Sequence, residues 1–276
     1  MNDGSFASAC HNQARVLYAL FLLEGQNRFA RRAWGLFEEL AGILIHVIGF
    51  SALRLMTGAV NHRGMPVIPF LVSGVFLYWM FKTTMVPVSN FHASKSRYVA
   101  HPRVTQLDVL LARAAVNIGL YLCVSLGTFY FLILIGLSAP IYNLGLVIVI
   151  LLLGGVWGLG IGLVLGGLFS LLPIFRTTSS GFLRLVMYTS GIFFVWPEVP
   201  YALRPFVIYN PFFHLAEKMH SAYFEVYDSA VASWDYIICW IVLTFTLGLV
   251  VERRCRSMNH RERRPDEDAS YAMDML

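Results

Sequence analysis

The residues that could carry out chemistry are few in this sequence and are not spaced for it. Only three lysines occur and none follows a glycine, so no G-K-[ST] loop exists to cradle the phosphates of a nucleotide. The eight histidines show no H-E-x-x-H spacing for a metal, and no G-x-S-x-G elbow holds a nucleophilic serine. The sequence therefore predicts no catalytic residue, no metal site and no nucleotide site.

One group of titratable residues could still converge: His214, Glu217 and His220, in an aromatic-rich segment near the C-terminus. A membrane-embedded acyl or glycosyl transferase would need such side chains at one membrane depth. The polar face of an amphipathic helix explains them equally well, and the two histidines, six residues apart, share a helical face poorly. The enzyme class stays an alternative, and so does a purely structural membrane scaffold.

The composition places the chain in a lipid bilayer. Apolar residues make up 57% and charged residues 13%, and the mean hydropathy is +0.63. Soluble domains have about 45–50% apolar and about 25% charged residues. The four cysteines are far apart in the sequence and show neither a disulfide framework nor a metal spacing.

Six apolar stretches are candidates for membrane-spanning helices, since a hydrocarbon core about 30 Å thick needs about 20 residues. The fifth is short and runs into a proline-rich segment. The six are Trp34–Met56, Val67–Val86, Leu107–Leu137, Leu144–Leu172, Gly181–Trp196 and Trp234–Val251.

The distribution of lysine and arginine predicts the orientation. With both termini inside, the inner segments hold fourteen basic residues and the outer segments hold three. Such a bias is typical of the positive-inside rule, so the pI near 9.1 indicates membrane orientation and not nucleic-acid binding. We predict an all-α integral membrane protein with six spans and cytoplasmic termini.

Three regions follow from this pattern: 1–33 at the cytoplasmic surface, 34–251 as the membrane domain, and 252–276 as a cytoplasmic tail, basic and then acidic. Within the first region, Gln13–Asn27 is apolar but too short to span, and three arginines follow it closely. We predict an interface helix there, with an additional span as the alternative.

The outer segment Pro197–Ser233 is unusual for a loop. It holds four prolines, which break a continuous helix, yet it is rich in phenylalanine, tyrosine and leucine. Short re-entrant helices in the outer leaflet would account for both features, and an interfacial aromatic belt is the alternative.

The fourth stretch carries glycines four residues apart, which would form a smooth face for close helix packing. These glycines are Gly154, Gly158, Gly162 and Gly166.

Several stretches in order resemble the ABC-2 type permeases, and among them the inner-membrane permeases that export capsular polysaccharide. They are QARVLYALFLLEGQNRFARRAWGLFEEL, PVIPFLVSGVFLYWMF, HPRVTQLDVLLARAAVN, LVMYTSGIFFVWPEVP and YNPFFHLAEKMHSAYF. The family pattern has an aromatic residue followed by a Glu-Pro pair. Trp34 and Glu38 match it, whereas Glu39 replaces the proline.

The resemblance implies a half-transporter in the bacterial inner membrane. Two copies would form a canal for a lipid-linked, acidic capsular polysaccharide, and two copies of a separate ATPase would bind ATP and magnesium, so this chain itself would need no cofactor. Periplasmic and outer-membrane export proteins are further candidate partners. An exporter of O-antigen, teichoic acid or a small hydrophobic drug is the alternative.

The segment 89–105 joins spans two and three on the inner side, and the resemblance implies that it couples to the ATPase. The alternative is a plain basic loop. The candidate coupling residues are Phe91, His92, Ser94, Lys95, Arg97 and Tyr98.

Candidate residues for the substrate path combine aromatic faces, on which sugar rings stack, with arginines, which attract anionic sugars. An arginine within a span indicates a watery path, although snorkelling to the interface or a lipid-facing belt would explain the same residues. The candidates are Arg184, Tyr188, Phe193, Trp196, Arg54 and Arg204.

Overall fold

The computed structural model describes residues 6–56, 61–90, 104–172 and 174–273, and most of them are helical. Two 3₁₀ turns (Trp196–Glu198 and Tyr201–Leu203) precede the short helix α6. In chain order the other elements are α1 (Phe6–Met56), β1 (Asn61–His62), β2 (Met65–Pro66), α2 (Val67–Ser89), α3 (Gln106–Leu134), α4 (Leu144–Leu171), α5 (Ile174–Thr189), α6 (Arg204–Val207), α7 (Pro211–Tyr223) and α8 (Trp234–Met273).

Four helices are long and apolar enough to cross a membrane, counting only the residues that the structure describes. They are α2, α3, α4 and the part of α8 from Trp234 to Cys255. An all-α integral membrane protein is therefore confirmed, and the second, third, fourth and sixth predicted stretches agree with these helices to within a few residues.

The fifth predicted span has different bounds in the structure. Its helix, α5, begins at Ile174 and not at Gly181, and it ends at Thr189. Gly191 then turns the chain with a φ of 72°, and Val195 is extended. The apolar run up to Trp196 therefore covers a helix end followed by irregular chain. With 16 residues, α5 is shorter than the roughly 20 that a span needs.

The predicted interface stretch and the first predicted span lie on one helix. One helix of 51 residues, α1, contains both Gln13–Asn27 and the stretch that starts at Trp34. The intervening residues RFARRA include neither glycine nor proline, so nothing there ends a helix. The apolar part of α1 with described side chains, Ala41–Arg54, is shorter than a span.

The central helix of the bundle is α2, in which every residue from Pro69 to Phe81 is buried. It runs parallel to α4 and in register with it. A Cβ atom on Gly154 would lie 3.0 Å from Leu77 Cδ1, and one on Gly158 would lie 2.4 Å from the Phe81 carbonyl oxygen. Two of the predicted packing glycines thus lie directly against α2.

The same contact continues one turn further along both helices. A Cβ atom on Gly162 would lie 2.8 Å from the carbonyl oxygen of Met85. Gly166 is buried on the same helix. Because a backbone oxygen cannot swing aside like a side chain, α2 and α4 can approach this closely only where α4 has no side chains.

A second glycine face of α4 packs on α8, which also runs parallel to it. A Cβ atom on Gly160 would lie 3.0 Å from the backbone nitrogen of Phe245, and one on Gly167 would overlap the side chain of Val251. On α8, Gly248 lies equally close to Leu163. Glycine thus mediates both main contacts of α4.

A two-stranded hairpin, which the sequence analysis did not predict, joins α1 to α2. Asn61 pairs with Pro66 and His62 with Met65. The two turn residues, Arg63 and Gly64, have φ values of 53° and 87°. Two positive φ angles in succession are typical of a tight hairpin turn. We call this end of the bundle, with the start of α4 and the C-terminus of α7, the hairpin end, and the other end the opposite end.

The helix α7 lies inside the bundle and runs antiparallel to α4. At its C-terminus, the backbone N–H of Asn143 donates to the Ala222 carbonyl oxygen, 2.9 Å away. At its N-terminus, the Phe212 ring stacks on Trp157 with centroids 5.7 Å apart. Asn143 and Trp157 lie about 20 Å apart along α4 at 1.5 Å per residue. The chain therefore enters α7 about 20 Å below the hairpin end.

Candidate functional site

Two of the predicted path residues, Tyr188 and Phe193, meet in an aromatic group between α1 and the chain that follows α5. The Phe193 ring lies 4.1 Å from Phe50 and 5.8 Å from Tyr188, centroid to centroid. Phe50 and Tyr188 are 6.2 Å apart. Tyr188 keeps 51% of its surface exposed, so one side of the group is open. We call Phe50, Tyr188 and Phe193 the aromatic face.

Arg54 lies at the hairpin end of this aromatic group and binds its neighbours there. Its Nη2 donates to the carbonyl oxygen of Phe193. Its Nη1 lies 2.8 Å from His62 Nδ1, and because a guanidinium can only donate, that ring nitrogen is unprotonated and accepts. Arg54 therefore joins the end of α1 to both the hairpin and the residues after α5.

His62 continues the chain of polar contacts. Its Nε2 lies 3.0 Å from Glu198 Oε2, in the 3₁₀ turn that follows α5. Glu198 favours a protonated ring, but burial, together with Arg54 and Arg63, outweighs it and lowers the pKa of His62 to about 4. Near neutral pH the ring is therefore neutral, and its hydrogen lies on Nε2 because Nδ1 accepts from Arg54.

Trp196 and Arg204 form another contact, close to the one that joins Arg54, His62 and Glu198. The guanidinium carbon of Arg204 lies 5.2 Å from the centre of the Trp196 ring and 5.8 Å from that of Tyr201. The Nε of Arg204 donates to the Val199 carbonyl oxygen over 3.2 Å. A cation held over aromatic rings in this way keeps its positive charge while its side chain is fixed.

Arg184 stands apart from these contacts. It lies one turn from Tyr188 on α5, and both side chains are exposed, as expected for one helical face. Of the six predicted path residues, the structure thus groups Arg54 with Tyr188 and Phe193, pairs Trp196 with Arg204, and leaves Arg184 exposed on α5.

Glu217, on α7, fixes the backbone beside the contact between Trp196 and Arg204. The fully buried carboxylate accepts three hydrogen bonds: from Trp196 N over 3.0 Å, and from Tyr227 Oη and Ser229 Oγ over 2.6 Å each. Three donors suit an ionised carboxylate. Glu217 therefore fixes the backbone at Trp196 and the chain after α7 to one another.

His214, Glu217 and His220 on α7 do not converge on one point. His214 bonds the Ile208 carbonyl oxygen and accepts from the Ser233 N–H. His220 bonds the Gly191 carbonyl oxygen and lies 3.4 Å from Ser73 Oγ. Each side chain secures a different part of the chain, and within the described residues no group of three or more metal-ligating side chains could hold a metal ion.

Some residues of the site were missed by the sequence analysis, namely Phe50, His62 and Glu198. They lie far apart in the sequence and meet only in the folded chain. The one local signal was the Arg63-Gly64 pair, which is compatible with a tight turn and would have placed His62 beside it. The predicted coupling residues between Phe91 and Tyr98 lie outside the described residues.

The fold and this site define the chain as an integral membrane protein of the all-α class, with an aromatic and cationic surface between its helices. It is 24% identical over 249 residues to the polysialic acid transport protein KpsM of Escherichia coli, covering 87% of this chain and 93% of KpsM. It is 24% identical over 261 residues to the capsule polysaccharide export inner-membrane protein CtrC of Neisseria meningitidis serogroup A, covering 92% of this chain and 96% of CtrC.

CtrC of a serogroup B strain is 23% identical over 259 residues. No protein-family model matches the chain. The resemblance to capsule export permeases that the sequence indicated is thereby confirmed, and the chain is a distant relative of these proteins over almost its whole length.

Proposed function

We propose that this chain is the permease subunit of an ABC transporter that exports capsular polysaccharide across the bacterial inner membrane. The observation that carries the proposal is the relationship to proteins named for capsule polysaccharide export and polysialic acid transport, which spans about nine tenths of the chain. The membrane-embedded helical bundle supports it. These names favour capsular polysaccharide over the alternative substrates, which are O-antigen, teichoic acid and a hydrophobic drug.

The proposed orientation has the hairpin end outside and both termini in the cytoplasm. The excess of lysine and arginine in the segments of the opposite end supports it. Six crossings would follow if α1 and α5 cross the membrane together with the four long helices. The first half of α1 would then lie at the cytoplasmic surface.

In this orientation α7 is part of a re-entrant segment: the residues before α7 descend from outside, and α7 returns toward the hairpin end. Its N-terminus lies about 20 Å below the hairpin end by the rise of α4. Irregular backbone at such depth is tolerated only where protein or a water-filled cavity covers it. The position of α7 among α2, α4 and α8 meets this requirement.

The energy for export would come from a separate ATPase that binds ATP and magnesium. Two copies of it would dock on two copies of this chain, through the cytoplasmic segment that contains Phe91–Tyr98. The lack of any sequence pattern for a nucleotide site in this chain supports a separate ATPase. Nucleotide-driven closure of the ATPase pair would move this segment and open a canal between the two permeases.

The aromatic face would form part of the path of the polymer. Sugar rings stack on aromatic faces, and Tyr188 and Phe193 offer such faces next to the cation of Arg54. Arg184, exposed one turn below Tyr188, would attract acidic sugars about one helical turn deeper along the path. Trp196 and Arg204 would lie nearer the outer mouth. This arrangement supports a polymer that is both sugar-based and acidic.

The function can be tested by complementation of a capsule-forming strain that lacks its own permease gene. We expect the wild-type chain to restore surface polymer and to co-purify with an ATPase. Tyr188→Ala should reduce surface polymer several-fold at matched protein level. Tyr130→Ala, on α3 with a similar exposed fraction of 62%, is the matched control and should behave as wild type.

The outcomes separate the two parts of the proposal. Failure of the wild-type chain to restore polymer, in any strain whose ATPase it binds, would contradict the proposed substrate. Equal export by the Tyr188 and Tyr130 variants would instead remove the aromatic face from the path and leave the substrate unaffected.

A further inference from the structure

The N-terminal half of α1 is docked on the first turns of α3 at the opposite end of the bundle. Leu20 is 3% exposed and packs against Val109 and Ala112, with Val16 and Val104 beside them. An apolar side chain buried in this way fixes where α1 touches α3, but a single contact of this kind leaves α1 able to rotate about it.

A polar contact on one side of Leu20 restricts that rotation. The Nε2 of Gln13 donates to Asp108 Oδ1 over 2.5 Å. The other oxygen, Oδ2, accepts from the backbone N–H and the hydroxyl of Thr105, over 2.8 Å each. The Thr105 hydroxyl oxygen in turn accepts from the Asp108 N–H, which completes a capping box. One carboxylate, 4% exposed, thus both starts α3 and holds α1.

A second polar contact lies on the other side of Leu20. Arg113 Nη2 donates to Glu24 Oε1 over 3.0 Å, and both side chains are mostly buried. Gln13 and Glu24 are eleven residues apart, about three helical turns. Two polar contacts that flank an apolar one define both the position and the direction of α1 on α3. We call these three contacts the α1–α3 joint.

The location of the joint gives it mechanical significance. Thr105, the last residue of the proposed coupling segment 89–105, is the N-cap of α3, and Asp108 lies in the first turn of that helix. A displacement of that segment therefore acts on Asp108 first, and Asp108 is bonded to α1. Because α1 is one continuous helix, its other end carries Phe50 and Arg54 of the aromatic face.

We propose that the α1–α3 joint transmits the movement of the ATPase from the coupling segment to α1, with Asp108, Glu24 and Arg113 as positioning residues. This inference rests on the proposed function, since it requires an ATPase partner. It adds to that function a specific route by which the coupling segment and the aromatic face communicate.

Charge reversal at the ion pair tests the joint in the complex of permease and ATPase. We expect Glu24→Arg and Arg113→Glu each to lower polymer export several-fold, while the ATPase remains bound and hydrolyses ATP. The number of ATP molecules hydrolysed per polymer exported should rise. The double variant, Glu24→Arg with Arg113→Glu, should recover most of the export because the pair is restored with reversed charges.

A merely structural role would change folded yield without changing the ratio of hydrolysis to export. Arg176→Glu, an exposed arginine at the same end, is the matched control and should export as wild type. Single reversals that export normally, or a double variant as impaired as either single one, would overturn the proposal. If the wild-type complex exports no polymer at all, the proposed function fails. The thermal stability of the double variant, compared with that of each single variant, still reports whether the ion pair between Glu24 and Arg113 exists.

Discussion

The two ends of the bundle are held together in different ways. At the hairpin end a fully buried carboxylate, Glu217, accepts three hydrogen bonds and fixes segments from three parts of the chain. At the opposite end the α1–α3 joint depends on one buried carboxylate and one partly exposed ion pair. Removing a partner from a fully buried network costs more than removing one from a pair whose side chains keep 15% and 22% of their surface exposed.

This difference would suit the proposed exporter, in which the ATPase docks at the opposite end. Many satisfied hydrogen bonds and ring contacts keep α7 and its neighbouring loops in one arrangement. At the opposite end, among the described residues, α1 is held on α3 by the Gln13–Asp108 hydrogen bond, the Glu24–Arg113 ion pair and the apolar contacts of Leu20. We infer that α7 and the chain bonded to Glu217 act as a fixed frame, while α1 and the start of α3 move.

The largest effect on stability should follow from Glu217→Ala. The variant leaves the Trp196 N–H and the hydroxyls of Tyr227 and Ser229 without their acceptor, at a cost of about 3 kcal/mol or more in the free energy of unfolding. We expect a large fall in the thermal midpoint of the purified protein.

Two matched variants separate the network from mere loss of volume or charge. Glu217→Gln keeps the shape and one acceptor oxygen, and should be affected less. Glu225→Ala removes an exposed carboxylate from the loop that follows α7, and should be neutral. If Glu217→Ala proves no less stable than Glu225→Ala, α7 and the chain bonded to Glu217 are not the fixed frame.

Much of the helical bundle could be predicted from the sequence, but the buried hydrogen bonds of Glu217 could not. Apolar length alone placed α2, α3, α4 and α8, because a bilayer imposes a minimum span on any helix that crosses it. The four-residue glycine spacing pointed to close packing, and three of those glycines lie against α2.

The errors have a common physical cause. Hydropathy does not distinguish helical from extended backbone. The apolar extended residues after Gly191 were therefore predicted as a continuation of the helix α5. The side chains that bond to Glu217 and His62 come close only in the folded chain. A single sequence contains no local signal for such pairs. Arg54 and Phe193 were both named as path residues, but 139 positions separate them and only the fold reveals their hydrogen bond.

An intermediate effect should appear in the pH dependence of stability at the hairpin end. The pKa of His62 falls from 6.5 to about 4 on folding, so the unfolded chain binds a proton more readily than the folded one. The stability that His62 contributes is full above pH 6.5 and is lost as the pH falls from 6.5 toward 4. The thermal midpoint should decline over that range.

Substitution isolates the contribution of His62. His62→Gln should flatten the decline, because glutamine has no ring nitrogen that takes up a proton over this range. His11→Gln, at an exposed position in α1, should leave the decline unchanged. An identical pH dependence in wild type and His62→Gln would show that the contact among Arg54, His62 and Glu198 does not depend on the neutral ring.

The smallest effect on stability should come from Glu24→Gln at the opposite end. The side chains of the ion pair retain 15% and 22% exposure, so water still weakens the attraction, and we expect a cost on the order of 1 kcal/mol in the free energy of unfolding. The change in thermal midpoint should be small and should shrink further at high salt, where the attraction is screened. Arg176→Gln serves as the control without this contact.

A destabilisation as large as that of Glu217→Ala would mean that both ends are equally rigid, and the movement of α1 would then need another hinge. A small destabilisation with a large loss of export would place the role of the pair in transmission, because a contact that hardly stabilises the resting fold can still direct which parts move together.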